Sequence, residues 1–155
     1  MNKEVLLTQE SYNKLKEELE YLTTTKRVEI ANNLKSAVEH GDLRENAEFE
    51  AEKDRQNVME VRINDITRIL KNCRIVEVDY KKNKIGIGKN IILYDIEFNE
   101  TLEYKIVDSV EADPLNGKIS YNSPVGKALM GKKENDLVEV DLPMGKIIYR
   151  VDKIF

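Results

Sequence analysis

The sequence predicts an α+β protein with an N-terminal long antiparallel α-helical hairpin, a coiled coil over residues 1–75. A C-terminal small twisted antiparallel β-sheet domain with one short helix follows over 76–155. Three observations carry this. Between Thr8 and Cys73 there is no proline and one glycine, Gly41, whereas all three prolines and the other six glycines lie between Gly86 and Gly145. Apolar residues in the first half recur every three or four positions, and those in the second half recur every two.

The hairpin follows from that spacing. Tyr12, Leu15, Leu19 and Leu22 form a coiled-coil seam, which meets Lys26 where an apolar residue is due and resumes at Ile30, Leu34 and Ala37. This pattern reads as a local slip rather than a break. On the return arm Phe49, Glu52, Gln56, Met59, Ile63, Ile66, Leu70 and Cys73 keep the same spacing, polar at first and apolar later. Thr8 is the expected N-cap, and His40-Gly41 the expected helix stop. Two helices of about 30 residues, each roughly 45–50 Å long at ~1.5 Å per residue, are joined by so short a link that they must fold back on each other. Arms of that length are expected to project.

In the second half, residues 74–78, 90–94, 102–107, 137–140 and 146–151 read as strands, with Pro143-Met144-Gly145 as a hairpin turn. The short helix has Ser123 as N-cap, Pro124 at its first position and Gly131 as its stop.

Composition excludes several classes of function. Hydrophobic residues make up 41% and charged residues 35%, without an apolar run of 18 or more, so no membrane partner is expected. The single cysteine forms no internal disulfide, and the N-terminus lacks the pattern of a secretory signal, which points to a reducing cytoplasm. A net charge of −4 argues against a basic surface for duplex DNA. A monomer is expected.

The densest chemistry lies between Glu39 and Asp54, where seven acids stand against Arg44 and Lys53. Asp42 and Glu45 are three apart, which makes them neighbours on a helical turn. Two such carboxylates suit a shared magnesium ion, which takes one or two protein carboxylates and keeps its waters. The same pattern is also a capping arrangement, Asp42 as N-cap with Glu45 reaching back. Position speaks for the metal, because a cap needs neither the tip of a rod nor Glu48, Glu50 and Glu52 around it. Below the tip, Lys26, Arg27, Arg55 and Arg62 form a basic belt. It reads either as a grip on a single-stranded phosphate backbone or as solvated ion pairs with Glu29, Glu60 and Asp65. Gly86-Ile-Gly-Lys89 lacks the spacing of a nucleotide-binding loop and reads as a turn. His40 has no neighbouring His or Cys with which to hold zinc. No nucleophilic triad is in sight, so the chain is not expected to be an enzyme by itself.

The segment Gly41-Asp-Leu-Arg-Glu-Asn-Ala-Glu-Phe49, with Gln56 after it and Arg27, Ile30 and Ala37 before it, resembles the tip region of the bacterial GreA/GreB transcript-cleavage factors. So do Val107 with Glu111-Ala112-Asp113, Gly117-Lys-Ile-Ser120, Ser123-Pro124, Ala128-Leu129 with Gly131, and Pro143 with Gly145. The resemblance implies a globular second half similar to FK506-binding proteins, docked on bacterial RNA polymerase, and a hairpin passed down the polymerase's secondary channel to the nascent RNA 3′ end. It implies that Asp42 and Glu45 help hold Mg2+ jointly with the polymerase, none being bound tightly by the isolated protein. By the same analogy Ser120, Ser123 and Pro124 belong to the polymerase-binding surface. Two departures stand out: Arg44 where the family usually has a small residue, and Phe49 where it has Tyr. Arg44 is therefore expected either to pair with the acids or to meet an RNA phosphate. The alternatives are a polymerase-binding inhibitor of the same family that does not cleave and, from the fold alone, a prolyl isomerase.

Overall fold

The computed structural model describes the backbone of residues 4–40 and 43–155, with their side chains except those of 40 and 43–46. The chain forms two compact units, one over Glu10–Cys73 and one combining Glu4–Gln9 with Arg74–Phe155.

The first unit is the helical hairpin. Its first arm comprises α1 (Gln9–Tyr21), a π-helical turn (Leu22–Lys26) and α2 (Arg27–His40), and its second is α3 (Leu43–Lys71). Each seam position named from the sequence on the two arms, from Tyr12 to Ala37 and from Phe49 to Cys73, is buried or half-buried. Leu22, Ile30, Met59, Ile63 and Ile66 are its best-covered apolar side chains. The slip at Lys26 has a structural form. Leu22 and Ile30 are eight residues apart, one more than a heptad, and the π turn between them takes up the extra residue. The Arg27 N–H reaches back five residues to the carbonyl of Leu22. The Thr23 and Thr24 hydroxyls donate to the carbonyls of Leu19 and Glu20 at 2.8 and 2.6 Å, so the widened turn keeps its acceptors satisfied.

In the second unit a five-stranded sheet runs in the order β5-β4-β3-β7-β6, from β3 (Asn90–Asp95), β4 (Glu100–Val107), β5 (Lys118–Ser120), β6 (Leu137–Leu142) and β7 (Gly145–Ile154). The pairs β3–β4, β3–β7 and β6–β7 are antiparallel, and a register shift at Ile92/Leu93 marks a bulge against β7. The expectation of a wholly antiparallel sheet is corrected at one edge. There β5 runs parallel to β4, with Lys105, Ile106 and Val107 opposite Lys118, Ile119 and Ser120. The crossover consists of two 3-10 turns, Ser109–Glu111 and Pro114–Asn116, with Gly117 at φ +74 sending the chain back. Asp108 opens the first of these turns by accepting the Val110 N–H. The helix α4 (Pro124–Leu129) packs against β6 and closes a core of Ile91, Leu93, Ile106, Leu129, Val138 and Val151.

The strand expected over 74–78 is shorter and lies elsewhere. It is β2 (Cys73–Ile75), paired with β1 (Val5–Leu7) in a separate two-stranded sheet. The Leu6 N–H donates to Asp108 Oδ2 at 3.0 Å and the Val76 N–H to the carbonyl of Leu7 at 2.8 Å, which ties the start of the chain into the second unit.

Candidate functional site

Asp42 and Gly41 lie outside the described residues, as do the side chains of His40, Arg44 and Glu45. In the chain Asp42 falls between the last residue of α2 and the first of α3, and the backbone of Glu45 belongs to the first turns of α3. The capping and metal readings of the pair both concern this stretch. Among the described residues, no group of three or more His, Cys, Asp or Glu is placed to hold a metal ion.

The shaft next to it is described in full. Glu48 and Glu50 are exposed, whereas Glu52 turns into the seam. One Glu52 oxygen accepts from Arg55 Nη1 at 2.8 Å, and the other is buried without a partner among the described residues. Phe49 is half-buried, and the Lys53 ammonium stands 5.8 Å from the centre of its ring, a cation–π contact at the edge of the seam.

Three members of the basic belt are engaged across the hairpin. Arg27 makes a two-pronged contact with Glu60 at 2.9 and 3.0 Å, and Arg55 lies 3.7 Å from Glu29 as well as bonding Glu52. Arg62 clamps Glu18 through Nε and Nη2 at 2.7 and 2.9 Å. Of the expected partners, Glu29 and Glu60 are found, while Asp65 pairs instead with Arg68 one turn along its own helix. Glu18 lies 44 positions from Arg62, and its pairing across the hairpin is set by the register of the two arms and the reach of both long side chains. Lys26 has no ion-pair partner among the described residues. The Arg62 guanidinium beside Glu18 holds that carboxyl below its ordinary range, outweighing the opposing effect of partial burial, and the same contact raises the guanidinium. All three cross-arm pairs are substantially exposed, so each contributes little to stability.

In the second unit, Ser120 and Ser123 use their hydroxyls inside the loop that leads into α4. The buried Ser120 Oγ lies 2.9 Å from Ser109 Oγ and accepts the Asn122 N–H at 3.0 Å. Ser123 caps α4 by accepting the Gly126 N–H at 3.0 Å, and its own hydroxyl donates to the Ser120 carbonyl at 2.7 Å. Pro124 follows at the first helical position and is exposed. A Cβ on Gly126 would sit 1.9 Å from the Ser120 carbonyl oxygen, so only glycine lets α4 approach this loop. These residues fix the shape of the loop, and its outer surface is left to Asn122, Pro124 and Lys127.

No helix among the described residues is long and apolar enough to cross a membrane. Comparison with known proteins places this arrangement. Residues 5–75 match the model of the N-terminal domain of GreA/GreB transcription elongation factors, and residues 80–155 match the model of their C-terminal domain. The chain is 47% identical over 155 residues to the transcription elongation factor GreA of Thermoanaerobacter pseudethanolicus, covering 99% of each chain. It is 45% identical to GreA of Caldanaerobacter subterraneus subsp. tengcongensis, again over 99% of each. A crystal structure of the GreA factor homolog Gfh1 of Thermus thermophilus is similar at 33% identity, with 99% of both chains covered and a TM-score of 0.46. With both halves of the sequence matched by family models and whole-length relatives at this identity, the chain belongs to the GreA/GreB family of transcription elongation factors.

Proposed function

We propose that this protein is an accessory factor that binds bacterial RNA polymerase, passes its hairpin down the secondary channel and stimulates the polymerase's own cleavage of backtracked RNA. The observation that carries the reading is the acid pair Asp42 and Glu45, which the sequence puts where one long helical arm ends and the next begins, in a chain of this family. Relatives that are similar along their whole length carry the name of elongation factor GreA, which does not favour the inhibitor or the isomerase.

Asp42 and Glu45 would be the ligands offered to a magnesium ion shared with the polymerase, and a pair of carboxylates suits an ion that is otherwise held by phosphate, water and a partner. Such an ion, when bound, stabilises the charge on attacking and leaving oxygens in phosphodiester hydrolysis. The chain's own part is to carry the carboxylates on a stiff support and keep them charged. Arg44 provides a cation in the same turn, which either neutralises the pair or meets an RNA phosphate. Lys26, without an ion-pair partner among the described residues, is the cation best placed to track RNA; Arg27, Arg55 and Arg62 would have to exchange their carboxylate partners for phosphate. On the globular side, the loop shaped by Ser120 and Ser123 presents Pro124 to the polymerase.

The double variant Asp42→Asn/Glu45→Gln tests the reading, because both amides preserve capping while removing charge. It is expected to fold and bind polymerase like the parent while losing nearly all stimulation of transcript cleavage in a stalled complex. Full stimulation by this variant would refute the metal-ligand role.

A further inference from the structure

The second unit displays a concentration of positive charge that the hairpin-based reading does not use. Residues 79–89 and 131–136 together hold six lysines against three acids, in a chain whose net charge is −4. The two segments are joined: Lys84 forms a β-bridge with Lys133, the Ile85 N–H donates to the carbonyl of Lys132 at 2.8 Å, and the Gly131 N–H to that of Ile85 at 2.9 Å. Lys84 and Lys133 are therefore neighbours, and Lys81, Lys82 and Lys132 are exposed with them on the same joined segments.

The exposed lysines outnumber the acids of the two segments, five to three. Asp79 Oδ1 accepts the N–H groups of Lys81 and Lys82 at 3.0 and 3.3 Å, Asp136 accepts that of Lys133 at 2.8 Å, and Glu134 accepts that of Ile154 at 3.0 Å. Each carboxylate of the two segments is thus held by backbone while keeping its charge, and none of the five exposed lysines has a carboxylate partner among the described residues. The sixth lysine holds the display together. Lys89 is 5% exposed, and its ammonium donates to the carbonyl of Lys84 at 2.8 Å and to that of Lys82. A buried cation is costly, and here it fixes the backbone that carries the exposed ones. Tyr80, 73% exposed, stands at the start of the same turn and is the one exposed large apolar side chain described in these segments.

We infer that these joined lysine segments, with Tyr80, form a docking surface for a single-stranded nucleic acid. Lysines are point charges on flexible stems, suited to following a phosphate backbone without demanding a fixed geometry. An exposed aromatic ring among them offers a face on which an unpaired base stacks. An acidic polypeptide would find the charge but, among the described residues of these segments, no exposed large apolar side chain other than Tyr80 to anchor it.

The test is fluorescence anisotropy of a labelled oligouridine with the full chain, between about 50 and 200 mM salt. The Lys81→Ala/Lys82→Ala/Lys132→Ala/Lys133→Ala variant is expected to bind at least about tenfold more weakly, with a shallower salt dependence. Tyr80→Ala is expected to weaken binding by about fivefold or more and to leave the salt dependence unchanged. Lys146→Ala, which removes an exposed lysine already paired with Glu139, is expected to bind like the parent. Parent-like binding by the lysine variant, an equal loss of binding by Lys146→Ala, an unaffected Tyr80→Ala, or equal competition by duplex RNA or polyglutamate would each overturn the proposal.

Discussion

At the scale of single residues, Gly126 decides whether α4 reaches its place. Its missing side chain leaves room for the Ser120 carbonyl, which also accepts the Ser123 hydroxyl and N–H. Gly126→Ala would drive a methyl group into a backbone atom that cannot yield without breaking the cap. The expected cost is ~2 kcal/mol or more, about 8–16 °C in the melting of a unit of this size. Gly86→Ala is the control, since a Cβ there would meet nothing within 4 Å and melting should barely move. Glu18 makes a second residue-scale case, this time with a pH signature. Its carboxyl is held below the ordinary range by Arg62, so the stability it contributes is present above the unfolded value, near 4.5, and lost as pH falls through the lower folded value. Both partners are more than a third exposed, at 43% and 38%, so solvent screening limits the contribution to about 0.2–1 kcal/mol. Thermal melts should show Glu18→Gln less stable than the parent at pH 7, with the gap closing by pH 3.

At the scale of elements, the helical seam was legible in the sequence because every partner it needs recurs locally, at steps of three and four. Its slip at Lys26 was legible too, but not the form of the slip, since backbone widening leaves no mark on residue type beyond three threonines in a row. The strands β1 and β5 were not legible. Each has three residues, too few for alternation to register, and each exists because a distant segment completes its hydrogen bonds. The acid pair was legible as a pattern, whereas the partner of Arg62 depended on the register between two arms 44 positions apart in sequence, which local spacing does not carry. The π turn yields a prediction. Deleting Thr25 shortens the Leu22–Ile30 spacing to one heptad, and the arm can then run as uninterrupted α-helix with both halves of its seam still facing α3. Circular dichroism should show helicity and melting temperature equal to or above the parent's, and amide exchange across the turn should slow. A drop of more than about 5 °C, of order 1 kcal/mol in a unit this small, would show that the widened turn is needed for packing.

At the scale of the whole molecule, the chain's two physical units do not coincide with two consecutive stretches of sequence. The second unit takes in Glu4–Gln9 from the start of the chain, across the entire hairpin. The reason is visible in its bonds: Asp108 is buried, and one of its oxygens is answered by the Leu6 N–H, the other by Val110. A fragment comprising residues 74–155 keeps the five-stranded sheet and its core but loses β1, leaving a buried carboxylate oxygen and the Val76 N–H without their partners. An unsatisfied buried acceptor of this kind costs ~1–3 kcal/mol, more where the group is charged. The fragment should therefore fold with a clearly lower melting temperature than one in which residues 4–9 are joined to residue 74 through a flexible linker. Asp108→Ala should close most of that gap by removing the orphaned acceptor from the short fragment while removing the tether from the linked one. Equal melting of the two fragments would mean that the N-terminal strand rests on the globular unit without stabilising it.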